Sequence, residues 1–467
     1  RVNVVNCLVG LDIGTSAVKG VAVTADGDIV FRSSKSFTYH KNGTFVLLDP
    51  KEFIDICFGV IRDIVESAGK DYRISAICPC CASGNLLFLD DGFKPLTDII
   101  GWQSSVDENW FANYYSEEDK EKIYKTVGWP VLNGFPVACL PWLAENNKAL
   151  IKNSRMICMT AEYLNYRLTG NWGISKSMGT PFYLLDQEKD CYSKEILGRF
   201  GIAEDKLPPV FDKGTVVGKT TEEVETFIGL PADTPVVLGS FDHPSCATGA
   251  GVFNCGEMLL SCGTSWVEFF PVKDRKTAVD TGFLVDRYML DGQPYCVMNS
   301  LTSVGRKIDE YKHHYLGNIS YDDFSELAEK SRLGCNGIRL DLGSDTFPDL
   351  SMFDKCHIAR AIIEATARLL KENIEISKQK KLQVEKITLV GGITNSDVCV
   401  KIIAETVGKE LSVVNGESAG AVGAAMLAGI GIGLFKNEAD AFGRVKSVKK
   451  VYSGNCSANN GHNELRV

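Results

Sequence analysis

The stretch Gly10-Leu11-Asp12-Ile13-Gly14-Thr15-Ser16-Ala17-Val18-Lys19 decides the fold. An apolar run from Cys7 to Leu11 leads into it, and alternating residues from Val18 to Thr24 follow it, so it reads as strand, tight turn, strand. Asp26-Gly27-Asp28 is a second hairpin turn, followed by a strand at Ile29 to Phe31. A turn between two strands aims several backbone N–H groups in one direction. Glycine lets an anion approach the backbone closely, and threonine and serine add hydroxyl donors. Asp12, at the strand end, is placed to hold a hydrated Mg²⁺, with Lys19 a little further on. One such turn is ordinary hairpin chemistry. The pattern returns, however, as a strand from Glu257 to Cys262, a turn Gly263-Thr264-Ser265, and a strand from Trp266 to Pro271. Two such turns, each opening a half of the chain, point to phosphate binding.

Working outward, Asp49-Pro50 opens an amphipathic helix carrying Phe53, Ile54, Cys57, Ile61 and Ile64 at helical spacing. Ile74 to Cys78 and Leu86 to Leu89 read as strands, and residues from about 107 to 205 read mostly as helices with loops. A short strand at Val216 to Gly218 and a strand from Pro235 to Leu238 precede Gly239-Ser240-Phe241-Asp242. In the second half a long helix is expected from His357 to Lys378, with Ile358, Ile362, Ala365, Leu369 and Ile376 on one face. Further elements are a strand at Ile387 to Val390 ending in Gly391-Gly392, a helix at Asp397 to Val407, a strand at Leu411 to Val414 and a helix at Ala419 to Ala428. These elements divide the chain into 1–240 and 241–452, with a polar, mobile tail at 453–467.

The 467 residues are too many for one ordinary core and suit two domains. Hydrophobic residues make up 45% and charged residues 23%, so the chain can bury substantial cores. A net charge of −9 argues against nucleic acid as a partner, because phosphate-backbone binding needs a basic footprint. The 16 cysteines are scattered rather than set in a framework, which fits a reduced, cytoplasmic setting. Cys78, Cys80 and Cys81 lack a second ligand pair at matching spacing and read as small buried residues on an apolar strand. No signal peptide and no membrane-spanning run are expected.

Asp242 follows an apolar strand and a Gly-Ser pair, and precedes the small-residue segment Ser245 to Gly251. A carboxylate there can accept the proton of an attacking hydroxyl, or can cap the following helix. His243 beside it reads more readily as structural. A strand ending in Gly391-Gly392 and leading to a helix suits close approach of a nucleotide. The Ala- and Gly-rich stretch Glu417 to Leu434 reads chiefly as tight helix packing.

Together these elements resemble the FGGY carbohydrate kinases. The resemblance is carried by Gly10 to Lys19, by Gly239-Ser240-Phe241-Asp242 through Gly251, and by Leu260-Ser261-Cys262-Gly263-Thr264-Ser265. Val390-Gly391-Gly392, Glu417 to Ala425, Ala161 to Gly170 and Gly229 to Val237 extend it over nearly the whole chain, in order and spacing. It implies an α/β protein of two actin-like (ribonuclease H-like) ATPase domains, with ATP and a small carbohydrate in the cleft between them, Mg²⁺, and domain closure. It implies that Asp242 takes the hydroxyl proton and that Asp12 organises Mg²⁺. Gly14, Thr15, Ser16 and Lys19, with Gly263, Thr264 and Ser265, would meet the phosphates. Gly391, Gly392 and either Asn395 or Ser396 would border the adenosine. Trp102 and Gln103 would join Asp242 at the sugar. The family leaves a homodimer open, and no residue here marks an interface.

The departures fall mostly on the sugar side. Many members carry Gln and His near the positions of Ala82 and Gly84, and Trp-Asn/Gln-Asp-x-Arg where this chain has Trp102-Gln103-Ser104-Ser105-Val106. The loop Leu342 to Asp349 looks shorter, and Ile393 replaces a usual third glycine. Lost polar groups should change the substrate, because buried hydrogen bonds discriminate between sugars. Three readings follow: a kinase acting on a ketose, polyol or sugar acid; a non-catalytic ATP-binding sensor or scaffold of the same fold; and an actin-like ATPase or chaperone. The retained Asp12, Asp242 and both turns favour the kinase.

Overall fold

The computed structural model describes residues 4–263, 265–301, 303–344, 346–454 and the short strand at 465–466. They form two compact units, and both are discontinuous in sequence. The first gathers Arg1–Gly249, Gly282–Tyr295 and Gly420–Lys446, and the second Ala250–Thr281, Cys296–Ala419 and Ser447–Val467. The division into 1–240 and 241–452 cuts the chain once, whereas packing groups its segments otherwise. The helix Asp242–Gly249 and the returning segment after Gly420 both belong to the first unit.

The first unit is built on a mixed sheet of β1 (Val5–Ile13), β2 (Ala17–Thr24), β3 (Ile29–Ser36), β4 (Tyr72–Cys81), β5 (Val216–Lys219) and β6 (Pro235–Val237), in the order β5-β6-β4-β1-β2-β3. β1 and β2 are antiparallel, pairing Asp12 with Lys19 and Ile13 with Val18. β4 joins β1 in parallel, setting Cys80 beside Asp12. The helix Pro50–Ala68 covers one face. Asp49 caps it by accepting the Lys51 N–H at 2.7 Å, and its apolar stripe of Phe53, Ile54, Cys57, Ile61 and Ile64 is buried as the spacing predicts.

The returning helix Ala419–Gly431 is the other cover. Its small residues let backbones touch. A Cβ on Gly10 would stand 1.9 Å from the Ala421 carbonyl oxygen, and one on Gly423 would stand 2.0 Å from that of Ser245. Leu8, Val21, Val23, Ala76 and Val237 form one buried cluster with Ala421, Val422, Ala425 and Met426 from this helix. The packing role expected for this stretch is what its geometry displays.

The second unit repeats the scheme. β7 (Gly256–Cys262) and β8 (Trp266–Val272) form an antiparallel hairpin, with Cys262 opposite Trp266. β9 (Gln293–Leu301), β10 (Val384–Gly391), β11 (Leu411–Val414) and β12 (Val448–Tyr452) complete the run β9-β8-β7-β10-β11-β12. β10 lies parallel to β7 as β4 does to β1, which sets Gly391 beside Cys262. The long helix spans Lys355–Gln379, but its buried stripe runs Ile358, Ile362, Thr366, Leu370, Ile374 and Ser377. Leu369 is half-buried and Ile376 is 43% exposed, so the expected face is right only to Ala365. A helix turns 100° per residue, and an error of one position beyond Ala365 moves the rest of the stripe off the core. All fifteen described cysteines are free, and Cys78, Cys80 and Cys81 are buried on β4 as expected. Most of the polar tail lies outside the described residues.

Candidate active site

In the first unit the acidic residues converge at the end of β1. Asp12 faces Cys80, whose Sγ lies 3.8 Å from Asp12 Oδ1 and 3.6 Å from the Gly420 carbonyl oxygen. A Cβ at position 420 would stand 2.4 Å from Asp12 Oδ2, so glycine there leaves room for the carboxylate. Burial pushes the Asp12 carboxyl up to about 7; the charge of Asp242 adds to the rise, while Lys19 and the Cys80 contact oppose it. Asp12, within electrostatic reach of a second carboxylate and of Lys19, suits a divalent cation, because metal binding would favour its ionised form. Among the described residues no group of three His, Cys, Asp or Glu side chains makes a protein-only metal cage. A Mg²⁺ here would therefore take most of its ligands from water or substrate.

Asp242 is the first residue of the helix Asp242–Gly249. Its Oδ1 accepts the backbone N–H of His243 at 2.8 Å, and its side chain is 20% exposed, open to a ligand. His243 Nε2 stands 3.9 Å from the same oxygen. Ser245, one turn on, donates to the Gly420 carbonyl at 2.9 Å and fixes this helix against the returning one. A third acid, Asp286, is fully buried and accepts the Arg287 N–H at 2.6 Å. Burial pushes it up to about 8, and the charge of Asp242 contributes.

The first turn is closed by a Gly14 N–H to Ala17 O bond of 2.9 Å, which leaves Thr15 partly exposed and Ser16 exposed. Trp102 donates its indole N–H to Thr15 Oγ1 at 3.1 Å, so the expected sugar residue and the expected phosphate residue are in direct contact. A pocket of about 20 Å³, room for one water, lies among Thr15, Ala82, Asn85, Trp102 and Gln103.

In the second unit Gly263 is exposed and Ser265 partly exposed; Thr264 lies outside the described residues. Gly391, with φ +97°, needs its glycine, since a Cβ would meet the Cys262 carbonyl oxygen at 2.5 Å. A Cβ on Gly392 would meet nothing within 4 Å. Gly392–Asn395 is a 3₁₀ turn, so the helix begins later, at Asp397. Ser396 is that helix's N-cap: its Oγ accepts the Cys399 N–H at 3.1 Å and donates to Ser325 Oγ at 2.8 Å. Asn395 is exposed.

Several residues near Asp242 escape a reading by sequence. Trp129, Phe135 and Tyr183 come from segments read only as helix and loop. They form an aromatic cluster with Phe241, Trp129 standing 5.6 Å from Phe135 and 5.7 Å from Phe241. Asp286 reaches its place through strand pairing and long-range packing, for which local spacing carries no signal. Cys80 reads in the sequence as a buried strand residue, but its contact with Asp12 is not legible there for the same reason.

Family models match two parts of the chain. The N-terminal domain of the FGGY family of carbohydrate kinases matches residues 7–249, and its C-terminal domain matches residues 338–432. The chain is 25% identical over 448 residues to a xylulose kinase of Staphylococcus epidermidis, covering 92% of this chain and 88% of that protein. It is 23% identical over 447 residues to a gluconokinase of Bacillus subtilis, covering 90% and 86%. Among solved structures, a ligand-bound xylulose kinase from Lactobacillus acidophilus superposes with a TM-score of 0.82 at 21% identity, covering 96% of this chain and 94% of that one. A gluconate kinase from the same organism gives 0.82 at 21% identity, covering 97% and 94%. The two-domain, actin-like α/β fold that the family resemblance implies is the fold of these enzymes. Matched along both family domains, the chain belongs to the FGGY family of carbohydrate kinases.

Proposed function

We propose that this carbohydrate kinase transfers the γ-phosphoryl group of ATP to a hydroxyl of a small ketose, polyol or sugar acid, with Asp242 as general base. The observation that carries the reading is that Gly420 packs against both acid-bearing elements: it leaves room for the Asp12 carboxylate at the end of β1, and its carbonyl accepts from Ser245 on the helix that Asp242, partly exposed, begins. The kinases of xylulose, gluconate and 3-keto-L-gulonate to which the chain is similar support the substrate class.

Asp242 Oδ1 is engaged by the His243 N–H, which leaves Oδ2 to take the proton of the substrate hydroxyl. The hydroxyl oxygen then forms the new bond to the γ-phosphorus, the bond to the β–γ bridging oxygen breaks, and ADP leaves with that electron pair. Gly14, Thr15, Ser16 and Lys19 would orient phosphate oxygens. In the second unit Gly263, Thr264 and Ser265 would do the same, with Gly391, Gly392 and Asn395 beside the nucleoside. Ser396 is committed as a helix cap, which makes it the weaker of the two adenosine candidates. Asp12 would hold Mg²⁺, which neutralises phosphate charge when bound. Trp102 would meet the sugar while restraining Thr15.

ADP release with Mg·ATP against ketoses, polyols and sugar acids tests this. With the true substrate, Asp242→Asn should lower kcat by about 10²–10⁴-fold and leave the KM for ATP little changed. Near wild-type turnover in that variant would remove Asp242 as the base. ATP binding with no stimulated release by any compound would favour the sensor reading instead.

A further inference from the structure

Tyr39, from the connection between β3 and the strand His40–Asn42, lines the same pocket as Thr15, Trp102 and Gln103. The backbone leading to it is held by two elements. The Phe37 N–H donates to the Ser16 carbonyl of the first turn at 2.9 Å, and the Thr38 N–H donates to Glu52 Oε1 on the Pro50–Ala68 helix at 2.9 Å. Phe37 also stacks on Phe53 of that helix, with centroids 5.7 Å apart. The Tyr39 ring and the Gln103 amide meet over Gly101: a Cβ there would stand 2.7 Å from Gln103 Oε1 and 3.7 Å from Tyr39 Cε1. The pocket also reaches Cys81, which pairs with Phe241, the residue before Asp242.

The polar groups around this pocket divide into those already bonded and those still able to bond. Asn85 Nδ2 donates to Thr160 Oγ1 at 3.1 Å, Asn85 Oδ1 accepts the Thr160 N–H at 2.8 Å, and Cys81 Sγ lies 3.2 Å from the same Thr160 hydroxyl. Thr15 Oγ1 accepts from Trp102 and keeps its own proton to give. The Tyr39 hydroxyl and the Gln103 amide have no partner among the described residues. Tyr39 is partly buried, and burial pushes its hydroxyl above the usual range, with the buried Cys81 thiol adding to the rise. The hydroxyl therefore stands in the dry part of the pocket, near Cys81, and not in bulk water. The pocket has room for one water, and no Lys, Arg or His is among the described residues that line it.

Resting on the kinase reading above, we infer that Tyr39 is a specificity-determining residue: its hydroxyl, with the Gln103 amide, holds a single hydroxyl of the carbohydrate acceptor in this pocket. Tyr39 thus replaces, from another segment, polar groups that positions 82 and 84 do not supply. A hydroxyl is the size of the water it displaces, and it can both give and accept a proton between these two groups. A carboxylate is too large for the space and would find no cation beside it, so the acid end of a sugar acid would have to lie elsewhere. An acceptor lacking this hydroxyl leaves the Tyr39 and Gln103 groups without a partner, which is how a polar pocket rejects a deoxy analogue.

Calorimetric titration of the full chain tests this, with xylulose, ribulose, xylitol and gluconate, and with the monodeoxy analogues of whichever binds most tightly. Tyr39→Phe removes one hydroxyl from the protein and should weaken that parent compound about three- to tenfold. One deoxy analogue should bind the variant and the wild type equally, within about twofold, because the bond that the variant loses is already missing there. The melting temperature of the variant should stay within about a degree of wild type, because the hydroxyl bonds to nothing else in the protein. The inference is overturned if Tyr39→Phe weakens no compound, or if it weakens the parent and every deoxy analogue alike, as a merely structural change would. Because binding is read without ATP, the two readings fail separately. Binding that depends on the Tyr39 hydroxyl, with no ADP release under Mg·ATP, contradicts the kinase reaction. ADP release with an unchanged acceptor KM in Tyr39→Phe contradicts the role of Tyr39.

Discussion

Glu268, in β8, is fully buried. Its Oε2 accepts from Asn299 Nδ2 at 2.9 Å and Ser377 Oγ at 3.4 Å, while Oε1 has no partner among the described residues. Burial pushes this carboxyl from an ordinary 4.5 up to about 7. The fold therefore holds the proton over a range where the unfolded chain has released it. Stability contributed by this group is fully present below the unfolded value and is lost as pH rises from about 4.5 to about 7, a difference of about 3 kcal/mol. Glu268→Gln keeps the shape and removes the titration. Urea midpoints at pH 5 and pH 8 should show the variant close to wild type at pH 5 and more stable at pH 8. An equal offset at both values would mean that Glu268 does not titrate in the fold. At this scale the sequence is readable only where chemistry and turn coincide. Asp12 and Asp242 stand at strand ends flanked by glycines and small residues, and those signals are local. Glu268, Phe135 and Asp286 owe their environments to partners more than thirty positions away, and nothing beside them in the chain marks them.

Among elements, glycine has opposite meanings in two places that look alike in sequence. In the returning helix, Gly423 lies against the Ser245 carbonyl, and an added Cβ would sit 2.0 Å from that oxygen. The backbone cannot yield as a side chain could. Gly423→Ala should therefore cost about 1–3 kcal/mol or more, read as a fall in melting temperature, and should pull the Asp242–Gly249 helix from its place. Gly392 has open space around its missing Cβ and an ordinary negative φ. Gly392→Ala should leave the melting temperature unchanged within a degree or so, and any rise in the KM for ATP would then report a nucleotide approaching that turn. Unchanged stability and unchanged KM together would remove Gly392 from the nucleotide site. The order of strands and helices was legible because turns, caps and alternation are local signals. The Gly392–Asn395 turn was not, since a 3₁₀ connection leaves no periodic trace.

For the whole molecule, the chain's return is the feature that a linear reading misses. Residues 420–446 leave the second unit's sequence neighbourhood and complete the first unit. They supply Ala421, Val422, Ala425, Met426, Leu427, Phe435, Ala441 and Val445 to the cluster that also holds Leu8, Val21, Ala76, Cys80 and Val237. The segment is fixed by Lys213–Glu438 at 2.9 Å, with both side chains nearly buried, and by Lys446–Asp28 at 2.7 Å. A division at residue 240 looked natural because the second Gly-Thr-Ser turn follows it, and the close approach of positions 10 and 421 has no local signature. A consequence can be tested. The fragment 1–249 contains the whole matched N-terminal family domain and the complete β5-β6-β4-β1-β2-β3 sheet. It lacks the helix against which Gly10 and the end of β1 pack, so the face bearing Leu8, Ala76 and Val237 would meet water. Exposed apolar surface of that kind drives aggregation or leaves a loosely packed state. The fragment alone should bind a hydrophobic dye and unfold without a cooperative transition, whereas 1–249 joined by a flexible linker to 420–446 should recover cooperative melting. Cooperative unfolding of 1–249 alone, with no dye binding, would show that the sheet and the Pro50–Ala68 helix suffice, and that the returning segment serves to shape the surroundings of Asp12 rather than to hold the unit together.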